Sequence, residues 1–405
     1  MSNTYEVIII GGGVHGASLA FHLAERGIKP VVLEKRFLAA GATGRSSGLV
    51  RMHYDLLVES QLAWVSFGYF RDWKNRVALF RPERSEASAE RSRRAECGFT
   101  KTGFLQLVRP EQTPALRANV AAQRGLGIST EVVSADEARR LAPGFFLDDI
   151  EAAAYEPESG YADPTSTTNA LMNAAKANGA GFVQNCAVTA IHTAGGKVTG
   201  VSTTQGEFSA PIVVNAAGAW AKGICDLAGV DVPLSTWRHD TMLVKRPPAL
   251  RDPHLTVIDF PNLMYFRPDA ADLTLVGLED GNPLGQSPDG DADHPSPGFV
   301  EAAIERICLR IPQMEAAHLH SAHSGYDAIT PDQHPALGPI GPDGFWLDTG
   351  FSGTGFKISP AVGLCMAEWI LDGKPSTVDI SRFTPTRFAE GREIVGENPY
   401  DSIWS

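Results

Sequence analysis

The 405-residue chain has few cysteines, no basic clusters of the kind that bind phosphate backbones and no long apolar run, and each shortage removes a class of function. Cys97, Cys186, Cys225, Cys308 and Cys365 are scattered, with no C-x-x-C spacing, so reduced thiols are expected instead of a disulfide framework or a thiolate metal site. Lysine and arginine number 35 against 47 acids, a formal charge of −12. Nucleic acid and anionic membrane need clustered positive charge and are excluded as partners. No apolar stretch approaches the ~18 residues of a membrane span. Met1–Thr4 leads into the first apolar run without the basic and apolar segments of an export signal, so a cytoplasmic protein is expected.

What is present is glycine, concentrated at strand and helix ends. Tyr5–Ile10 reads as a strand buried on both faces, followed by the turn Gly11-Gly-Gly-Val-His-Gly16 and a helix with Val14, Ala17, Phe21 and Ala24 on one side. Gly27 stops that helix, and Pro30–Leu33 forms a second strand ending at Glu34. A further helix is expected at Thr165–Asn178, then strands at Phe182–His192, Lys197–Thr203 and Ile212–Ala216. Residues 81–96 carry both charge signs and almost no apolar side chains, the pattern of a solvated excursion. Asp289, Asp291 and Asp293 imitate a calcium loop, but His294 replaces its glycine and prolines interrupt it, so a plain loop is expected. His318, His320 and His323 lack a completing acid or cysteine and read as part of a strand.

The spacing of Gly11, Gly13 and Gly16 gives a tight turn, close approach of backbone to a pyrophosphate, and close helix–strand packing. Glu34 stands where an acid accepts hydrogen bonds from ribose hydroxyls, which suits an adenosine with a free 2′-OH. A second small-residue stretch, Gly41-Ala-Thr-Gly-Arg-Ser-Ser-Gly48, points beyond a nicotinamide to the longer flavin cofactor. Val213-Val-Asn-Ala-Ala-Gly-Ala-Trp220 adds a third strand end running into small residues. Gly350-Phe-Ser-Gly-Thr-Gly-Phe-Lys357 adds a second glycine turn at a helix start, where backbone N–H groups face an electron-rich ligand.

These segments, with Thr330-Pro-Asp-Gln-His-Pro-Ala-Leu-Gly338, resemble the D-amino-acid-oxidase-like flavoproteins, in the branch of sarcosine oxidase, dimethylglycine dehydrogenase and glycine oxidase. The resemblance implies an α/β fold, α+β in its second domain: a Rossmann-like FAD-binding domain with a mixed-sheet substrate-binding domain. Residues 1–80, 150–222 and 322–405 would form the first, and 81–149 and 223–321 the second. It implies non-covalent FAD held by Gly11, Gly13, Val14, His15, Gly16, Glu34 and Lys35, and by Thr43, Gly44, Arg45, Ser46, Ser47 and Gly48. Ala187, Val188, Ala217, Gly218, Trp220, Gly325, Asp327, Gly350, Gly353, Thr354, Gly355 and Lys357 would complete the cofactor's surroundings. His15 is expected as a bystander to the chemistry.

The implied reaction removes hydride from a carbon next to nitrogen in a small amino acid or N-substituted amino acid, and the imine then hydrolyses. Arg51 and Lys357 match the positions that bind the substrate carboxylate, and Tyr265 one that closes over the substrate. Arg45 and Gly325 stand where relatives carry covalent flavin anchors, which leaves His53 as a further attachment candidate. Leu275 stands where sarcosine oxidases carry a lysine that aids dioxygen, so the acceptor is either dioxygen or an electron carrier. Glu279 and Asp327 are two acids that either line the substrate pocket, or face solvent or pair with Arg267 and Arg238. The alternatives are a 2-hydroxy-acid dehydrogenase on the same fold and a flavin-binding subunit of a larger electron-transfer complex, docked to its partner through 81–96.

Overall fold

The computed structural model describes residues 3–77, 96–250 and 252–400. The charged excursion lies outside the described residues except for Glu96, whose carboxylate is 3.7 Å from Lys74. The first strand, β1 (Ile8–Ile10), is wholly buried and pairs in parallel with β2 (Val31–Leu33) on one side and with Val213–Asn215 on the other. The six-stranded sheet continues through Gly181–Val183 at one edge and through Phe345–Thr349 and the antiparallel Ala336–Pro339 at the other. Near-continuous Val, Ile and Leu in the central strands is what burial on both faces demands.

Helix α1 (Val14–Glu25) begins at Gly13 and is followed by Gly27 in the left-handed region, as the sequence predicts. It packs against the C-terminal helix Gly355–Asp372, and the contact is very close: a Cβ on Gly363 would lie 2.2 Å from Ser18 Oγ. Pro360 sits inside that helix without the usual break, because side chains take over its backbone bonds. Ser359 Oγ donates to Phe356 O at 2.8 Å, Ser66 Oγ accepts from Ala361 N at 3.0 Å, and Pro360 O lies 3.0 Å from His22 Nε2.

The helix Pro164–Ala177 matches expectation; Asp163 caps it by accepting from Ser166 N, and Pro164 fills its first position. The single strand expected over Phe182–His192 is two. Gly181–Val183 joins the parallel sheet, whereas Val188–Ala194 pairs with Lys197–Thr203 in a separate three-stranded sheet. The break falls at Asn185, whose φ of 54° reverses the chain, and is held by Cys186 N donating to Glu34 O. The polar pair Gln184-Asn185 marks the reversal, and it is the one interruption that separates the two strands in the sequence.

An eight-stranded mixed sheet lies alongside, in the order His318–Ile329, Ser235–Lys245, Leu273–Leu278, Met264–Asp269, Thr256–Asp259, Phe104–Leu107, Ala152–Glu156, Glu131–Ser134. Ala152–Glu156 thus pairs away from the parallel sheet, and His318–Ile329 runs across the 321/322 division. His318 and His320 are exposed on this last strand, His323 Nε2 lies 3.2 Å from Thr241 Oγ1, and among the described residues no three ligating side chains converge on a metal site. Among the same residues no helix is long and apolar enough to cross a membrane. The described cysteines are free thiols.

Candidate active site

Two cavities meet above the carboxyl ends of the parallel strands. The longer, 520 Å³, starts at the first glycine turn. Gly11 has a φ of +115°, and a Cβ there would lie 2.4 Å from Ala216 O; a Cβ on Gly16 would lie 2.1 Å from Gly11 O. Only glycine lets β1, the turn and α1 close this tightly. Val14 N at the start of α1 donates to Thr43 Oγ1 at 3.0 Å, tying the second small-residue stretch to the first. Glu34, at the end of β2, accepts from Gly12 N and Arg36 N, each at 2.7 Å.

Gly13, Glu34, Lys35, Ala187, Val188, Ala217, Gly218 and Trp220 line this cavity, and Asp327 and Phe351 are shared with the second. Asp289 joins Lys35 to Trp220, accepting from Lys35 Nζ at 2.6 Å and Trp220 Nε1 at 2.9 Å. The loop that imitates a calcium site therefore spends its carboxylates on ion pairs; Asp293 likewise meets Arg45 at 3.0 Å. The expected FAD fits this cavity on one further observation. Asp348 is 1% exposed, lines the wall and has no hydrogen-bond partner on either carboxylate oxygen among the described residues. Such an atom calls for a polar ligand, and a hydroxylated chain linking two ring systems supplies one.

His15 is more than a bystander. Its ring stacks on Phe351 with centroids 3.5 Å apart, and its Nε2 lies 3.1 Å from Gly355 O, so it pins the N-terminal turn to the C-terminal one. A Cβ on Gly355 would lie 2.9 Å from that same Nε2. His15 Nδ1 approaches Asp348 Oδ1 to 3.5 Å, yet burial lowers His15 to about 3 and raises Asp348 to about 7. Near neutral pH the imidazole is uncharged, so the contact is not an ion pair.

The second cavity, 130 Å³, shares Val14, His15, Ala42, Thr43, Asp327 and Phe351 with the first. Its walls bring together Arg51, Lys357 and Tyr265, along with Ser46, Ser47 and Gly325. Arg51 is 1% exposed, its guanidinium 4.4 Å from the Tyr54 ring centroid, and Lys357 Nζ stands 5.7 Å from the same ring. Burial pushes the Lys357 ammonium well below its usual range, and repulsion from Arg51 adds to this, opposed by Glu59 and Asp327. Beneath Arg51 lies the buried Glu156, which accepts from Met52 N at 3.0 Å and Ser159 Oγ at 2.5 Å. Asp327 accepts from Gly353 N at 2.9 Å and Ala328 N at 2.8 Å, so this acid holds the glycine turn in place.

Tyr265 faces the cavity because its cross-strand partner is Gly277, where a Cβ would lie 2.4 Å from the phenol ring. The Tyr265 hydroxyl is 2.9 Å from His239 Nε2. Burial lowers His239 to about 4, so it is a neutral imidazole at pH 7.

Several expected residues serve the site without lining either cavity. A Cβ on Gly44 would lie 2.5 Å from Ala39 O, on Gly48 2.2 Å from Ala162 O, and on Gly350 2.7 Å from Thr330 Cγ2. With Gly16, these glycines permit close packing. Arg45 does line the smaller cavity, but its guanidinium donates outward to Ala292 O, Ser324 O and Asp293. Thr354 faces a third cavity on the other side of the turn. Glu279 lines that third cavity as well, apart from Asp327, which corrects the pairing of two acids in one pocket. His53 is likewise corrected as an attachment point: it is buried outside both cavities, with Nδ1 2.9 Å from Gln123 Oε1 and Nε2 3.0 Å from the Tyr400 hydroxyl. Trp237, His239, Ile258, Tyr326 and Asp348 were not foreseen. Alternation along Ser235–Lys245 places 237 and 239 on one face, but that pattern is the same for ordinary core.

Comparison with known proteins agrees with this geometry. The family model DAO, FAD dependent oxidoreductase, matches residues 6–369. Mitochondrial sarcosine dehydrogenase of Mus musculus is 29% identical over 403 residues, covering 95% of this chain and 42% of that protein. The chain thus spans less than half the length of that relative. Glycine oxidase of Geobacillus kaustophilus (strain HTA426) is 26% identical over 392 residues, 96% of this chain and 98% of its own. Among solved structures, L-proline dehydrogenase from P. horikoshii superposes with a TM-score of 0.86 at 26% identity, covering 97% of this chain and all of that one.

Proposed function

The chain belongs to the DAO family of FAD-dependent oxidoreductases, and from that premise we propose that it oxidises the carbon–nitrogen bond of a small amino acid or N-substituted amino acid. The observation that carries the reading is the placement of two buried cations, Arg51 and Lys357, in one small cavity that opens onto the long one. Relatives named for sarcosine, dimethylglycine, glycine and proline all act on compounds that combine an amine with a carboxylate. Arg51 presents a planar fork to both carboxylate oxygens, and Lys357 adds a point charge. The 130 Å³ of space favours a substrate of a few heavy atoms.

FAD, when bound along the 520 Å³ cavity without a covalent link, supplies the hydride acceptor. The chain's residues do the positioning. Arg51 and Lys357 fix the carboxylate, which aims the adjacent carbon at the junction formed by His15, Asp327 and Phe351. An ammonium must lose a proton before its carbon releases hydride; burial keeps His239 a weak base and the Tyr265 hydroxyl protonated, so the substrate reacts as its free amine, with the Tyr265–His239 pair beside it in the same cavity. Trp237 and Ile258 exclude water from the opposite wall. The six-stranded sheet and the turns at its strand ends hold the cofactor in this reading, and the large sheet, which takes in Ala152–Glu156 and the whole of His318–Ile329, covers the substrate.

One relative, 26% identical, is named as the mitochondrial pyruvate dehydrogenase phosphatase regulatory subunit of Mus musculus, which makes a flavin-binding subunit the second reading. The test is anaerobic mixing of the flavin-loaded protein with sarcosine, glycine, proline and dimethylglycine, and in parallel with a panel of 2-hydroxy acids, following loss of flavin absorbance. Bleaching by amino acids and not by 2-hydroxy acids supports the reading; bleaching by neither overturns it.

A further inference from the structure

Behind the glycine turn lies a third cavity of 600 Å³ that the proposed reaction does not use. Thr354 lines it while its neighbour Gly353 lines the substrate cavity, so one peptide separates the two. Five carboxylates reach this space, and among its described lining residues the only side chain that can carry positive charge is His334. Four of the acids have partners, Glu279 among them. Asp332 is held by Arg387 through two bonds of 2.8 Å, Asp280 by Arg306 through a bond of 2.9 Å, and Glu59 Oε2 lies 3.2 Å from His334 Nδ1.

Asp55 is different. It is 5% exposed, its Oδ1 has no hydrogen-bond partner among the described residues, and no cation pairs with it there. Glu59, 2% exposed and one helical turn further on, also leaves its Oε1 without a partner. Two buried acceptor atoms beside an open polar space are costly unless a donor arrives to meet them. No three ligating side chains among the described residues converge tightly enough for a metal ion. Leu263, Ile394, Val395 and Pro399 add apolar surface to the lining, and Gly396 packs directly against the Asp55 carboxylate.

We propose that this cavity is a binding site for a short-chain alkylammonium ion, its N–H groups donating to Asp55 and Glu59 and its alkyl chain lying along Ile394, Val395 and Pro399. An ammonium supplies three donors to the two unmet acceptors, and the chain buries aliphatic surface against the wall. The site bears on the neighbouring cavity, since Glu59 is the acid that most favours the proton on Lys357. The proposal rests on the acidic cavity alone and stands whether or not the adjoining site oxidises amino acids.

The probe is n-butylammonium chloride, titrated calorimetrically into the flavin-loaded protein near pH 7.5, with n-butanol and calcium chloride as controls. Saturable binding of the amine alone is expected, weakened about tenfold or more by Asp55→Asn, which loses a charge-assisted hydrogen bond. Val395 is 69% exposed at the wall, so Val395→Arg folds normally and places a competing cation at the site; it too should weaken binding. Amine binding that neither variant changes puts the ion elsewhere and overturns the proposal, as does absence of binding or binding of calcium in preference.

Discussion

Replacing Arg51 by alanine removes the guanidinium from a position 1% exposed to solvent, between the Tyr54 ring and the substrate cavity. Stripping one partner from a buried ion pair costs about 3–5 kcal/mol. Two effects bear on that loss. Lys357 remains, and without Arg51 repelling it the ammonium keeps its proton to higher pH and still attracts the carboxylate. A net loss of about 3 kcal/mol is left, or roughly two orders of magnitude in kcat/KM. Arg51→Lys keeps the charge but not the fork and should lose about tenfold. The variant also leaves Glu156 buried without the nearby cation that eases its ionisation, so some stability is lost through a separate route. Arg51→Ala combined with Glu156→Gln should recover that stability and none of the affinity. Steady-state kinetics, equilibrium binding of an unreactive carboxylate and thermal unfolding together separate the two effects. Unchanged KM and unchanged carboxylate affinity in Arg51→Ala, with flavin retained, would refute the clamp.

Further outcomes follow from the same geometry. Asp348 titrates near 7 when folded against about 4 unfolded, so stability that is present below pH 4 is lost as pH rises through 7, about 4 kcal/mol in all in the flavin-free protein. The difference in unfolding free energy between Asp348→Asn and the parent should therefore grow in the variant's favour between pH 4 and 8, and a flat difference would contradict the buried, unpartnered carboxyl. Gly11→Ala, strained at a φ of +115° and blocked by Ala216 O at 2.4 Å, should lose flavin retention or folding, as read from the absorbance ratio after gel filtration. Acid precipitation should release all flavin to the supernatant in both the parent and His53→Ala, since His53 is held by Gln123 and Tyr400 outside the cofactor cavity. Flavin remaining in the pellet would show a covalent anchor.

The parts legible in the sequence are those where backbone geometry dictates residue type. Gly11 and Gly16 are required by contacts a Cβ would destroy, and such positions are legible from glycine spacing alone. Arg51 and Lys357 were legible only through family resemblance, because nothing local distinguishes a clamp from an ordinary buried cation. His239 and Asp348 were not legible: one sits in regular strand alternation, the other at a strand end like many others. Their roles come from long-range placement, His239 across from Tyr265 and Asp348 beside His15, more than 300 residues away in sequence. The reversal at Asn185 is marked locally only by the pair Gln184-Asn185, and which sheet each flanking strand joins is set by partners far away in sequence. Glu279 was misplaced because it lies just past the end of the strand Leu273–Leu278, where strand alternation no longer fixes which side a residue faces.

The central claim is that the small cavity presents an amino acid's carboxylate to Arg51 and Lys357 and its adjacent carbon to the flavin. Stopped-flow absorbance of the flavin-loaded protein, mixed without air with an amino acid and with the same amine lacking its carboxylate, tests it most directly. Rapid bleaching by the amino acid is expected, with bleaching by the decarboxylated amine slower by about two orders of magnitude or more, and a narrower distinction in Arg51→Ala, where Lys357 still attracts the carboxylate. Equal bleaching by both compounds in the parent protein would contradict it.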